Sequence, residues 1–285
     1  MVKTIGNPLT WTADAAGAAG SHMAEAARRM GGRETEPPQV RQITYDDLLA
    51  ALATGFEDFM ALRSDVLALV VIYPLIGVML ALIAVNTELL PYLFPMASGF
   101  ALVGPVAATG LYELSRRREA GEPTRWSDAL TPLRSPSMAP ILALGGLLMA
   151  IFVIWMLVAG MIWQITLGAQ SPTEAGFLAQ VLGTNAGWGM ILLGIPVGAV
   201  FAALVLALAV VSVPLLVDRN TGLPMALVTS WRVTRTNPGP VLAWGAIVAG
   251  LLVLGSLPLF LGLIVVMPVL GHASWHLYRC AVAPR

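Results

Sequence analysis

The chain has 285 residues, 57% hydrophobic and only 11% charged, with a mean hydropathy of +0.79. Soluble domains carry roughly 25% charged residues, so this composition excludes a chain that covers itself with polar surface and indicates an all-α, polytopic membrane protein. The 16 basic and 16 acidic residues cancel, leaving no electrostatic footprint for nucleic acid, and one cysteine, Cys280, excludes an intrachain disulfide or a multi-cysteine metal site.

The opening "MVKTIGNPLTWTADAAGAAG" lacks the apolar core of a secretory signal, so insertion is expected to rely on the first span. Residues 1–42 are rich in Ala, Gly, Arg and Glu with no sustained apolar face, the composition of a disordered cytoplasmic tail. Residues 43–64 read as an amphipathic cytoplasmic helix with Thr44 as its N-cap. Tyr45, Leu48, Leu49, Leu52, Phe56, Phe59 and Met60 share one stripe, with Asp46, Asp47, Glu57 and Asp58 opposite.

The six-span membrane domain is predicted over 65–285. A spanning helix needs about 20 apolar residues, and the spans fall at about 66–85, 92–115, 139–167, 187–217, 238–256 and 258–280. The last two come from one apolar stretch, Pro240 to Tyr278, broken at "GSLP" because a single helix would be about twice as long as the ~30 Å hydrocarbon core. Between spans three and four, "SPTE" offers Ser171 as N-cap, Pro172 at the first helical position and Glu174 to close a capping box. A short surface helix is expected there, with Phe177, Leu178, Val181 and Leu182 as its apolar stripe.

Six spans with both termini cytoplasmic put all 16 basic residues on one side, among them the topology-setting Arg116, Arg117, Arg118 and Arg279, and leave none in the external connections. Five spans would strand Arg279 outside.

An internal pseudo-repeat runs through the domain. Gly99, Val103, Pro105, Val106, Tyr112 and Arg116 match Gly262, Val266, Pro268, Val269, Trp275 and Arg279. Leu48, Ala51, Leu52, Thr54 and Phe56 match Leu223, Ala226, Leu227, Thr229 and Trp231 at one fixed offset. The unit is a cytoplasmic amphipathic helix followed by a Pro-kinked hairpin of spans, with Pro105 and Pro268 as the kinks; "WSDAL" and Pro214 echo it weakly in the middle.

A mid-helix proline frees the carbonyl four residues earlier, here of Ala101 and Ile264, and polar side chains at that level are natural partners. Thr109 and His272 stand at equivalent positions and are the ligand or cavity candidates; the bland reading of His272 is a hydrogen-bonded core residue. His272 and His276 lie one turn apart on one helix and cannot face each other across a haem, and a zinc site needs a further ligand from another helix. No catalytic constellation, no metal site and no cofactor site is read, and the protein is expected not to be an enzyme.

The strings "MVKTIGNPL", "GFALVGP" with "GLYELSRRREAG", "VPLLVDR" with "NPGPV", and "LFLGLIVVMPVLGHASWHLYR" together resemble a bacterial integral-membrane family catalogued as domain of unknown function 2189, over nearly the whole chain. The resemblance implies a multi-span protein of the bacterial inner (cytoplasmic) membrane and brings no activity, cofactor or catalytic residue. The expectation is a non-enzymatic accessory or scaffold protein whose partners are the lipid bilayer and a membrane complex or a second copy of itself. The alternative is a carrier or channel for a small neutral or amphiphilic solute.

Overall fold

The computed structural model describes residues 31, 37–70, 82, 95–96, 104–168, 174–258 and 260–284. Among these no strand occurs, and the secondary structure is helical throughout. Most of the disordered tail expected at 1–42, most of span 66–85, and residues 92–94 and 97–103 of span 92–115 lie outside the described residues.

Helix α1 (Tyr45–Val70) starts where Thr44 caps it. The Thr44 backbone N–H and hydroxyl donate to the Asp47 carboxylate at 2.7 and 2.8 Å, and the Asp47 N–H returns to the Thr44 hydroxyl at 3.3 Å. The helix runs unbroken past residue 64, where the amphipathic segment was expected to end.

Its faces also differ from the expected division. Leu48, Ala51, Gly55, Asp58, Phe59 and Leu62 are buried, whereas Tyr45, Leu49, Phe56 and Met60 are exposed. At 100° per residue the buried set forms its own stripe and the exposed apolar set lies beside it. Asp58, assigned to the polar face, is inside, because it belongs to the stripe of Ala51, Gly55 and Leu62.

The stretch just before α1 is ordered rather than part of a tail. The Arg41 N–H donates to the Ala281 carbonyl at 2.8 Å and the Ala283 N–H to the Gln39 carbonyl at 2.9 Å, around a Val40–Val282 bridge. Asn237 fastens the same strip: its side chain accepts from the Ile43 N–H at 2.9 Å and donates to the Arg41 carbonyl at 3.0 Å.

Helix α2 (Thr109–Glu119) is closed by Gly121 in the left-handed region (φ 70°), whose N–H reaches the Arg118 carbonyl at 3.0 Å. A 3-10 helix, η1 (Trp126–Arg134), leads into α3 (Met138–Thr166), followed by α4 (Glu174–Gly183) and α5 (Asn185–Ala209). Then come α6 (Ser212–Asp218), α7 (Leu223–Thr236), α8 (Pro238–Ser256) and α9 (Leu263–Ala281).

Three described helical stretches are long and apolar enough to cross a membrane: Met138–Thr166, Asn185–Asp218 and Pro238–Ser256. Their outward faces carry exposed Leu142, Val153, Leu157, Leu192, Val200 and Val253, as lipid-facing surfaces do. Helix α9 is not among the three, because His272, Ser274, His276, Tyr278 and Arg279 make its second half too polar.

The span expected at 187–217 is two helices, α5 and α6, parted at Val210–Val211. Pro214 cannot donate to the Val210 carbonyl. Ser230 of α7 inserts at the break, donating to the Ala207 carbonyl at 2.8 Å and accepting from the Val211 N–H at 3.5 Å, in place of the direct helical bond. Ser212 donates to the Leu208 carbonyl and, across the interface, to the Ala226 carbonyl at 3.1 Å.

Three elements are each laid over a helix, the first over one distant in sequence and the other two over near neighbours. Helix α1 packs on α9, η1 packs on α2, and α7 packs on α5 and α6. The helices beneath them, α2, α6 and α9, all touch one another. Close approach at the first contact requires Gly55, where a Cβ would stand 2.5 Å from the Ala273 nitrogen.

Candidate functional site

The meeting of α1, α2, α6 and α9 is the most polar buried region described. Pattern places its groups there: Asp58 lies one turn beyond Gly55, so the close α1–α9 contact delivers its carboxylate to the His272 and His276 side of α9. The Ser115 hydroxyl of α2 donates to Asp58 Oδ2 at 2.6 Å and lies 2.8 Å from His272 Nδ1. His276 Nε2 is 2.8 Å from the same Asp58 oxygen, and Arg118 Nε is 3.3 Å from the other. Asp58, Ser115 and His272 are all buried, and the His276 side chain is 17% exposed. Burial works against the Asp58 carboxylate, but the hydrogen bonds from His276 and Ser115, with the nearby imidazoles, outweigh it. They hold Asp58 below its ordinary pKa of 3.8.

A second chain of contacts ties α6 and α2 to α9. Tyr278 donates to Asp218 Oδ2 at 2.5 Å, and Arg219 and Arg279 lie 3.3 and 3.8 Å from that oxygen. Arg279 also binds Glu119 at 2.9 Å, and Trp275 Nε1 donates to the other oxygen of Glu119 at 2.9 Å. Arg219 reaches the Ala283 carbonyl, which fastens α6 to the strip after α9.

The run Arg116–Arg117–Arg118 divides its work. Arg116 binds the buried Glu113 of its own helix in a two-point pair at 2.7 and 2.8 Å. Arg117 also binds Glu113 at 2.8 Å and reaches Asp128 of η1 at 3.3 Å. Arg118 crosses to α1, binding Asp58 and donating to the Glu57 carbonyl at 3.0 Å. Glu113 is the first cause that raises the pKa of both Arg116 and Arg117. Each cation is fixed to a different element, a role that counting charges by loop does not reveal.

Of the two candidate residues, His272 joins this junction and Thr109 does not. The Thr109 hydroxyl donates to the Val106 carbonyl of its own segment at 2.5 Å. Neither residue lines the half-open cavity of about 360 Å³ lined by Pro105, Ala108, Ala202, Gly245, Ala249 and Gly271 with their neighbours on α2, α5, α8 and α9. Pro105 is on that wall, and Pro268 is buried within α9.

Asp58, Ser115, Glu119 and Asp218 are members that sequence reasoning missed. The i, i+4, i+7, i+11 series Ala51, Gly55, Asp58, Leu62 was the available signal for Asp58. Among the described residues, no group of three or more His, Cys, Asp or Glu side chains has the placement to hold a metal ion. The Ser115 hydroxyl stands between aspartate and histidine, so it is a link and not the nucleophile of a Ser-His-Asp triad, where histidine is central.

Residues 93–218 match the sequence model of a family described as "Predicted integral membrane protein (DUF2189)". The match is narrower than the near-complete resemblance read from the sequence, taking in "GFALVGP" and "GLYELSRRREAG" but not "NPGPV" or the α9 string. No curated protein and no solved structure matches the chain. With apolar helices long enough to span, the chain is a membrane protein carrying a domain of unknown function, and it associates with a lipid bilayer.

Proposed function

We propose that this protein is a non-enzymatic accessory or scaffold protein of the bacterial inner membrane, crossing it six times with both termini on the cytoplasmic side. The observation that carries the reading is the junction itself. Its carboxylates, arginines and indole bind one another across α1, α2, η1, α6 and α9. Such a network fastens helices together, as expected of a rigid platform.

The six-span reading adds α9 and the two earlier apolar segments to the three apolar stretches. The pseudo-repeat reading is supported by the packing. If the units begin at α1, η1 and α7, each opening element covers the closing helix of another unit, in a cycle about one axis normal to the membrane. Thr109, Ser212 and His272 then stand two turns before Arg116, Arg219 and Arg279, an equivalence that supports reading the middle unit as a third copy.

Gentle detergent extraction followed by native mass spectrometry tests the function. A bound protein, a second copy or a retained lipid is the expected result, and a bare monomer under all extraction conditions refutes it. For topology, cysteines introduced at Arg117 and Arg235 are expected to resist an impermeant reagent added to intact cells.

A carrier for a small amphiphilic solute is the second reading, favoured by the apolar cavity beside Gly245 and Ala249. Gly245→Leu fills that space; solute flux in proteoliposomes that survives the substitution removes this reading.

A further inference from the structure

The polarity of the hydrogen bonds around Ser115 fixes more than a clamp. The Ser115 hydroxyl has one proton, and the 2.6 Å contact gives it to Asp58 Oδ2, an acceptor only. Toward His272 Nδ1, at 2.8 Å, the same oxygen can then only accept. His272 therefore carries its proton on Nδ1, and its Nε2 is a bare lone pair. That atom is buried and has no hydrogen-bond partner among the described residues. A fully buried basic nitrogen without a partner is a costly feature to keep in a packed interior.

We propose that His272, Ser115 and Asp58 form a proton-relay site that accepts a proton at His272 Nε2, in the bundle interior, and delivers one to Asp58 at the polar rim. As a proton binds Nε2, the Nδ1 proton passes to the Ser115 oxygen and the Ser115 hydroxyl proton passes to Asp58 Oδ2. One proton enters and one arrives. His272 ends neutral in its other tautomer, Ser115 ends as a hydroxyl, and Asp58 ends as the neutral acid. Release to water follows beside His276, the most exposed of the three titratable groups. The reverse passage, with a proton from water taken up by Asp58 and one leaving His272 Nε2, returns all three groups to their starting forms.

The groups facing the relay are few. Helix α2 brings Ser115 and Arg118, and α9 brings His272 and His276. The 3-10 helix η1 also touches α1 but commits Asp128 to Arg117, α6 touches α2 and α9 but commits Asp218 to Tyr278, Arg219 and Arg279, and α8 has no charged residue to offer. Arg118 and His276 favour the ionised form of Asp58, which keeps the acceptor end ready. The site stands independently of the scaffold reading, since it needs only the α1–α2–α9 contact.

The chain has three histidines, His22, His272 and His276, so nitrogen-15 NMR of the full-length protein in nanodiscs can assign each ring by single substitution. The expected result is a neutral Nδ1–H tautomer for His272, with its ring signals and the Asp58 carboxyl carbon moving at one shared midpoint. Ser115→Ala should split that midpoint into two. An Nε2–H tautomer at His272 in the unaltered protein overturns the proposal without recourse to any variant. So does a shared midpoint that persists in a folded Ser115→Ala protein, since Asp58 and His272 would then be coupled by charge alone.

Discussion

Replacing Gly55 by alanine tests whether the α1–α9 contact holds the junction together. The new Cβ would lie 2.5 Å from the Ala273 nitrogen and 2.7 Å from its Cα, where ordinary contact begins at 3.4 Å. Both atoms are backbone and cannot swing aside, so α1 must lift by the difference, about 0.9 Å (3.4 − 2.5). A rigid lift of that size stretches the His276–Asp58 contact from 2.8 Å to about 3.7 Å, beyond hydrogen-bond range. Overpacking costs about 1–3 kcal/mol, and a lost hydrogen bond to a charged group about 1.5–3 kcal/mol. Alanine's better helix propensity returns about 1 kcal/mol. The expected net loss is about 1.5–5 kcal/mol, read by denaturant or thermal unfolding in detergent. Gly146→Ala on α3, where a Cβ meets nothing within 4 Å, is the control and should be neutral or slightly stabilising. A Gly55→Ala protein as stable as the parent would refute the close-contact reasoning.

Other outcomes follow from the same geometry. Asp58 has a folded pKa below its ordinary value of 3.8, so its stabilisation is complete above that value and disappears as pH falls through the folded pKa. Limited proteolysis should therefore find α1 protected at neutral pH and exposed once acid takes the pH below 3.8 and through the folded pKa, with Asp58→Asn abolishing the pH dependence. Trp275→Phe removes the indole donor to Glu119 and should cost about 1–3 kcal/mol in unfolding experiments. Ser230→Ala strips the bridge between the Ala207 carbonyl and the Val211 N–H and should cost about as much. Hydrogen exchange at Val211 should rise with it.

The helices were legible where a single physical demand governs them. Met138–Thr166 and Pro238–Ser256 appear within a residue of the apolar runs that predict them, because length and hydropathy suffice to mark such segments. Thr44 was legible as a cap because capping is local. The break at Val210 was not, since it depends on Ser230 arriving from α7. Asp58 was misplaced for a related reason: an amphipathic pattern separates apolar from polar, but an acid can sit among apolar neighbours when its partners come from other helices. His272 was recognised as a polar group needing a bond, yet its partner, Ser115, lies on a different helix, and no periodicity links the two.

The seating of α1 on α9 also dictates an order of assembly. The ribosome releases α1 before any of the other described helices, and its docking groove is the last of them to emerge. Until then the strip bearing Gly55 and Asp58 has no counterpart, and Asp58 stays hydrated. Closing so long a loop is entropically slow, although its cost grows only logarithmically with length. Nascent chains truncated before Leu263 should therefore hold α1 in a protease-accessible state, and maturation of the junction becomes a post-insertion event timed by the appearance of a single helix.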